Sequence, residues 1–167
     1  MKIFIVLAHP EHQSFNGAMF RTAVDTLSAR GPRDQGVGSP CHAVRPGVGK
    51  AQLPVRQGSG LFQAQQIEEL HATETYGFTE EIENEIQKIE WCDLMIWQFP
   101  LWWFGLPGLL KGWVDRVFAM GRTYGGDRIY ANGVFKGKRA MLSLTTGGPA
   151  SVYVKSGFNG DIHAILI

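Results

Sequence analysis

A chain of 167 residues with 44% hydrophobic side chains is long enough for one domain with an ordinary core. Its 16 Lys and Arg against 15 Asp and Glu leave a formal charge of +1 without any long block of like charge, which argues against nucleic acid or an acidic membrane surface as partner. The two cysteines, Cys41 and Cys92, are far apart and form no CxxC pair, a usage that suits a reducing compartment better than a disulfide framework.

The apolar run Ile3 to Leu7 is too short for a signal peptide or a membrane span, so a cytoplasmic protein without membrane insertion is expected. Rich in Ile and Val and followed by AHPEH, the run reads as a strand buried on both faces. In SFNGAMFRTAVDTLSARG, Phe15, Met19, Ala23 and Leu27 recur at helical spacing, with Ser14 as N-cap and Gly31 as stop. From Gly31 to Gly60 the chain carries 7 Gly and 4 Pro in 30 residues with no apolar period, and no strand can be placed there. Further on, TEEIENEIQKIE sets Ile82, Ile86 and Ile89 on one helical face behind Thr79, with acids in the first turn where the helix dipole favours them. CDLMIWQF is a second buried strand, GLLKGWVDRVFAM a helix, and KRAMLSLTT a third strand. The chain finishes on NGDIHAILI, in the middle of a helical pattern. Strands alternating with helices predict a single α/β domain over residues 1–167, a doubly wound parallel sheet with helices on both faces.

Such sheets bind ligands beyond the C-terminal ends of their strands. Three loops fall there. AHPEHQSFN leads into a helix N-terminus, a ready anion site, with Ser14 and Asn16 close by, although a plain helix cap would look the same. His9 and His12 lack a third ligand, and no metal is expected. The stretch WQFPLWWFGLPGLLKGW holds four of the five tryptophans; Trp97, Trp113 and Phe118 read as core, whereas Trp102 and Trp103 are adjacent and cannot both face inward. TTGGPASVY adds Thr145, Thr146, Gly147 and Gly148, whose backbone can approach a ring edge closely.

The motifs IVLAHPEHQSFN, WQFPLWWFGLPGLLKGWVDRVF, LSLTTGG and GFNGD together resemble the NAD(P)H:quinone oxidoreductases of flavodoxin-like fold, including the bacterial modulator-of-drug-activity type. The likeness covers residues 1–30 and 62–167. It implies a homodimer with FAD at the subunit interface, passing hydride from NAD(P)H to a quinone or similar acceptor in two steps. By that resemblance His9, Ser14, Phe15 and Asn16 bind the phosphate and adenine side of FAD. Pro100, Leu101, Trp103 and Phe104, with Thr145, Thr146, Gly147 and Gly148, hold the isoalloxazine ring. Tyr153 matches a catalytic tyrosine beside the flavin, and Tyr124 a tyrosine of the substrate pocket. Three departures stand out. Asn159 replaces a relay histidine and cannot become charged near neutral pH, Trp102 replaces a pocket glutamine, and Gly126 a second pocket tyrosine.

The resemblance also implies a second strand that residues 31–60 do not supply, as a shifted reading frame would explain, and a fifth strand that would lie beyond Ile167. The sheet is thus expected with a missing or degraded second and fifth strand. Two other readings remain at this point, a regulatory flavoprotein ancillary to a potassium-efflux transporter and a remnant without function.

Overall fold

The computed structural model describes residues 1–30, 37–38 and 65–166. In chain order these form β1 (Ile3–Leu7), α1 (Phe15–Arg30), β2 (Val37–Gly38), α2 (Gln65–Thr75), α3 (Glu80–Trp91), β3 (Leu94–Pro100), α4 (Gly108–Val117), β4 (Arg139–Thr145) and α5 (Ile162–Leu166). The strands make one parallel sheet in the order β2-β1-β3-β4. Ile5 pairs with Ile96 and Ile96 with Met141, so the first, third and fourth strands end together.

Each side chain of β1 is buried, because alternate residues feed two separate cores. On one face Ile3, Ile5 and Leu7 meet Phe20, Ala23, Val24 and Leu27 of α1. On the other, Phe4 and Val6 join Met95 and Phe99 of β3, Ile82, Ile86 and Ile89 of α3, and Leu110, Trp113 and Val117 of α4. Trp113 is the largest fully enclosed side chain. It packs at 6.1 Å from Phe4 and from Trp97 and 6.0 Å from Phe118, and its indole N–H donates to Glu85 at 2.9 Å. Trp113 is therefore core, and Trp97 and Phe118, partly buried, pack against it, in line with reading all three as core.

The second strand exists, reduced to Val37 and Gly38, which pair with Ile3 and Phe4. Two residues held by backbone pairing leave no alternation for a sequence reading to find, which is why the stretch reads as strandless. The rest of residues 31–60, including Cys41 and the stop expected at Gly31, lies outside the described residues. No strand follows β4 among the described residues, and Met141 and Leu142 are exposed on it.

Helix α2 carries no apolar period because two of its three buried residues, Glu68 and Glu69, are acids. Burial pushes the Glu69 carboxyl up, while the backbone N–H of Met120 (2.9 Å) and the amide of Gln65 (2.5 Å) donate to it and oppose that rise. Helix α4 runs back from the loop after β3 to the opposite end of the sheet. There Arg122 grips Glu83 (2.7 Å) and Glu90 (2.8 Å) of α3, just ahead of the start of β3.

Thr79 sits at the N-cap of α3 in extended backbone, yet its hydroxyl makes no cap bond and is buried without a partner among the described residues. Thr79→Val is therefore expected to leave stability unchanged or raise it by up to about 1 kcal/mol, by removing an unsatisfied polar atom. A working cap would instead lose about 1 kcal/mol. Urea denaturation of the two proteins separates these outcomes.

Candidate functional site

The loops after β1, β3 and β4 converge on one end of the sheet and are tied together by named bonds. The Ala8 N–H donates to the Gln98 carbonyl at 2.9 Å, and the Leu101 N–H to the Thr145 carbonyl at 2.8 Å. Asn16 Nδ2 donates to Thr145 Oγ1 at 2.9 Å, and the His9 and Trp102 rings lie 6.1 Å apart.

The first loop is held by its own short bonds. Glu11 N–H donates to His9 Nδ1 at 3.0 Å, and Glu11 Oε1 accepts from Gln13 N–H at 2.7 Å. Ser14 caps α1 as expected, its hydroxyl accepting from Gly17 N–H at 3.2 Å. The amides of Phe15 and Asn16, at the positive end of a 16-residue helix, have no acceptor among the described residues. That leaves backbone donors at a helix N-terminus, where negative charge is favoured. The Asn16 side chain itself is only 4% exposed and turned inward.

The second loop is a tight turn in which Gly105 N–H donates to the Trp102 carbonyl at 3.1 Å. Its two central residues, Trp103 and Phe104, have φ of 51° and 58°. Turns of this hand normally take Asn-Gly, because a side chain at positive φ is strained. Trp103 gains nothing from packing in return, since it is 97% exposed. Strain without burial, at a strand end, points to a contact outside the chain. Trp103→Asn is expected to raise stability by about 0.5–1 kcal/mol, since Asn tolerates this conformation and no buried surface is lost. A thermal melt showing an unchanged or lower midpoint would remove the strain account.

The third loop supplies open surface and donors. A side chain at Gly147 would meet no atom of the described residues within 4 Å, so the glycine stands open at the surface of this end. The amides of Thr146, Gly147 and Gly148 have no acceptor among the described residues. A Cβ on Gly148 would come within 3.0 Å of Val152 and 3.4 Å of the Tyr153 ring, so Tyr153 folds back against this loop. Asn159 is fixed beside it, its N–H donating to the Val152 carbonyl at 2.8 Å.

Pro100 and Leu101 are buried at the foot of the aromatic turn. Tyr124 lines a separate cavity of about 570 Å³ with Phe118, Arg128, Tyr130 and Phe135, none of them a residue of the three loops, and Gly126 is exposed two residues further on. Gln98 is the residue that reading the sequence passes over. It lies in an apolar strand, is 3% exposed, and donates to Asn16 Oδ1 at 2.7 Å while accepting from Ser143 Oγ at 2.7 Å. A lone amide inside a buried strand is the feature that could have revealed it, because buried polar groups are almost always partnered.

Residues 1–166 match a family model described as flavodoxin-like fold. The chain is 36% identical over 165 residues to ribosyldihydronicotinamide dehydrogenase [quinone] of Pongo abelii, covering 99% of this chain and 71% of that protein. Among solved structures it is similar to a protein of Klebsiella pneumoniae assigned as a quinone reductase, with a TM-score of 0.84 and 34% identity over 99% of this chain and 67% of that one. It is also similar to general stress protein 14 of Treponema denticola in complex with FMN, with a TM-score of 0.62 and 28% identity over 99% of this chain and 74% of that one. Among the described residues, no helix is long and apolar enough to cross a membrane.

Proposed function

Because the chain belongs to the NAD(P)H:quinone oxidoreductase family of flavodoxin-like fold, we propose that it binds a flavin, specifically FAD, where the three loops converge, and reduces a quinone or similar acceptor with NAD(P)H. A bound flavin supplies the chemistry, taking a hydride equivalent from a nicotinamide and handing an electron pair to the acceptor. The observation that carries this reading is the convergence of the three loops, tied by bonds from Ala8 to Gln98 and from Leu101 to Thr145, on an exposed, strained aromatic turn and on amides of Thr146, Gly147 and Gly148 that have no acceptor among the described residues.

The residues present suit that group. The free amides at the start of α1, beside Ser14, Phe15 and Asn16, would hold its phosphates. Pro100, Leu101, Trp103 and Phe104 would give a flat apolar wall, and His9 backs that wall through Trp102. Amides of Thr146, Gly147 and Gly148 would donate to the opposite edge of the ring, where preorganised donors stabilise the negative charge of a reduced flavin. Tyr153 would place its hydroxyl next to the Gly148 side of the site. Asn159 would hold a hydrogen bond but move no proton at neutral pH, leaving proton transfer to Tyr153 and water.

A homodimer is part of the same proposal. Phe15, Trp103 and Phe158 are large, exposed apolar side chains around this end, and Tyr124 reaches a shared acceptor pocket only if a second copy supplies it.

The test is one preparation. The purified chain loaded with FAD should absorb as oxidised flavin, lose that absorbance on anaerobic addition of NADH or NADPH, and regain it with a quinone. A chain that stays colourless after FAD is added in excess, or a bound flavin that neither nucleotide bleaches, would refute the reading. Analytical ultracentrifugation of the same sample decides the dimer.

A further inference from the structure

Beneath the proposed flavin site lies a buried chain of four side chains. Ser143 Oγ donates to Gln98 Oε1 at 2.7 Å, Gln98 Nε2 donates to Asn16 Oδ1 at 2.7 Å, and Asn16 Nδ2 donates to Thr145 Oγ1 at 2.9 Å. Gln98 and Asn16 are 3% and 4% exposed, so water does not substitute for these bonds. Every bond points the same way, from the middle of β4 through β3 and the first turn of α1 to the last residue of β4.

Direction is the informative property. A hydroxyl has one proton to donate and lone pairs to accept with. Thr145 receives the Asn16 amide inward, so its own proton remains for a partner on the outer side, where Thr145 stands half-buried beside the Thr146 to Gly148 loop. No acceptor for that proton exists among the described residues. We infer that Gln98 is a positioning residue that, through Asn16, fixes the Thr145 hydroxyl as a donor aimed at an acceptor atom of the bound flavin. The inference rests on the flavin reading above. It gives Asn16 a second task besides its backbone amide, and it gives Gln98 and Ser143 a role that no motif marks.

A reversal of polarity tests it. In Gln98→Glu the new carboxylate still accepts from Ser143 but cannot donate, so the Asn16 amide turns over, gives its N–H to the carboxylate and presents its oxygen to Thr145. The Thr145 hydroxyl must then donate inward and is lost to the ligand. Thr145→Val removes the same donor directly, and Thr145→Ser keeps it.

The measurement is the FAD dissociation constant of the apo chain, followed by quenching of flavin fluorescence, together with a melt of each variant. Gln98→Glu and Thr145→Val are each expected to weaken FAD by about tenfold, the worth of one hydrogen bond of about 1.4 kcal/mol. Thr145→Ser should bind like the unsubstituted chain. Gln98→Glu placed on Thr145→Val should weaken binding no further, because the donor is already gone. Repulsion between the new carboxylate and the FAD phosphates would persist in that background, so multiplied effects overturn the inference. So does a Gln98→Glu protein that binds as the unsubstituted chain does. Should Gln98→Glu fail to fold, Asn16→Asp enters the same cycle, since an acceptor at that position forces the same reversal. No FAD binding by the unsubstituted chain overturns the flavin reading itself, whereas binding that ignores every one of these variants leaves that reading standing and removes only the relay.

Discussion

Trp113→Ala is expected to destabilise the protein by about 3–5 kcal/mol, the range for truncating a fully buried large aromatic. Trp113 is 2% exposed and joins both halves of its core, touching Phe4 on β1, Trp97 on β3 and Phe118 beyond α4. The cavity cannot close easily, because those three rings are held by separate elements. Truncation also withdraws the indole N–H from Glu85, a carboxylate that is 6% exposed, adding a polar penalty to the apolar one. With typical domain stabilities of about 5–15 kcal/mol, much of the population would unfold. Guanidinium titration reads the loss directly, and a change under about 1 kcal/mol would mean that the neighbouring rings collapse into the space.

Gly17→Ala should be the most damaging change at the functional end. A Cβ there would sit 1.9 Å from the His12 carbonyl oxygen and 2.7 Å from its carbon, both backbone atoms. That carbonyl is itself held, accepting from Arg21 Nη1 at 2.6 Å, and Ser14 is bound to the Gly17 N–H from the same side. The loop must move bodily, at a cost of about 1–3 kcal/mol by analogy with overpacked cores. Moving it disturbs the amides of Phe15 and Asn16, so FAD affinity should fall along with the melting midpoint. A variant with both values unchanged would show that the His12 segment yields freely and that the glycine is not required.

How much of this was legible in the sequence depends on whether chemistry and periodicity coincide. Helix α3 was readable because Ile82, Ile86 and Ile89 are apolar, one face apart, and all buried. Helix α2 was not, since its buried face is made of Glu68, Glu69 and Ala72, and two acids on the inward side hide the apolar period that marks a buried face. For α1 the cap at Ser14 was right, but the proposed stripe included Phe15, which the fold leaves exposed while Phe20 goes inside. At the site, glycines and aromatics of the three loops announced themselves by type. The Gln98 chain did not, because its members are ordinary polar residues whose meeting is created by the register of β3 against β4 and the entry of α1. The grouping of Tyr124 with Phe118, Tyr130 and Phe135 around one cavity is a further product of the third dimension.

The grip of Arg122 on Glu83 and Glu90 has a consequence in acid. The guanidinium holds the Glu83 carboxyl below its usual value, so the stabilisation it contributes is complete above the unfolded pKa and fades as pH drops through the folded one. The segment carrying Tyr124 should thus unlatch on acidification while β1 and β3, whose own residues carry no ionisable side chain, stay shut. Amide protons of residues 122–126 would exchange faster at low pH well before those of β1 and β3 do.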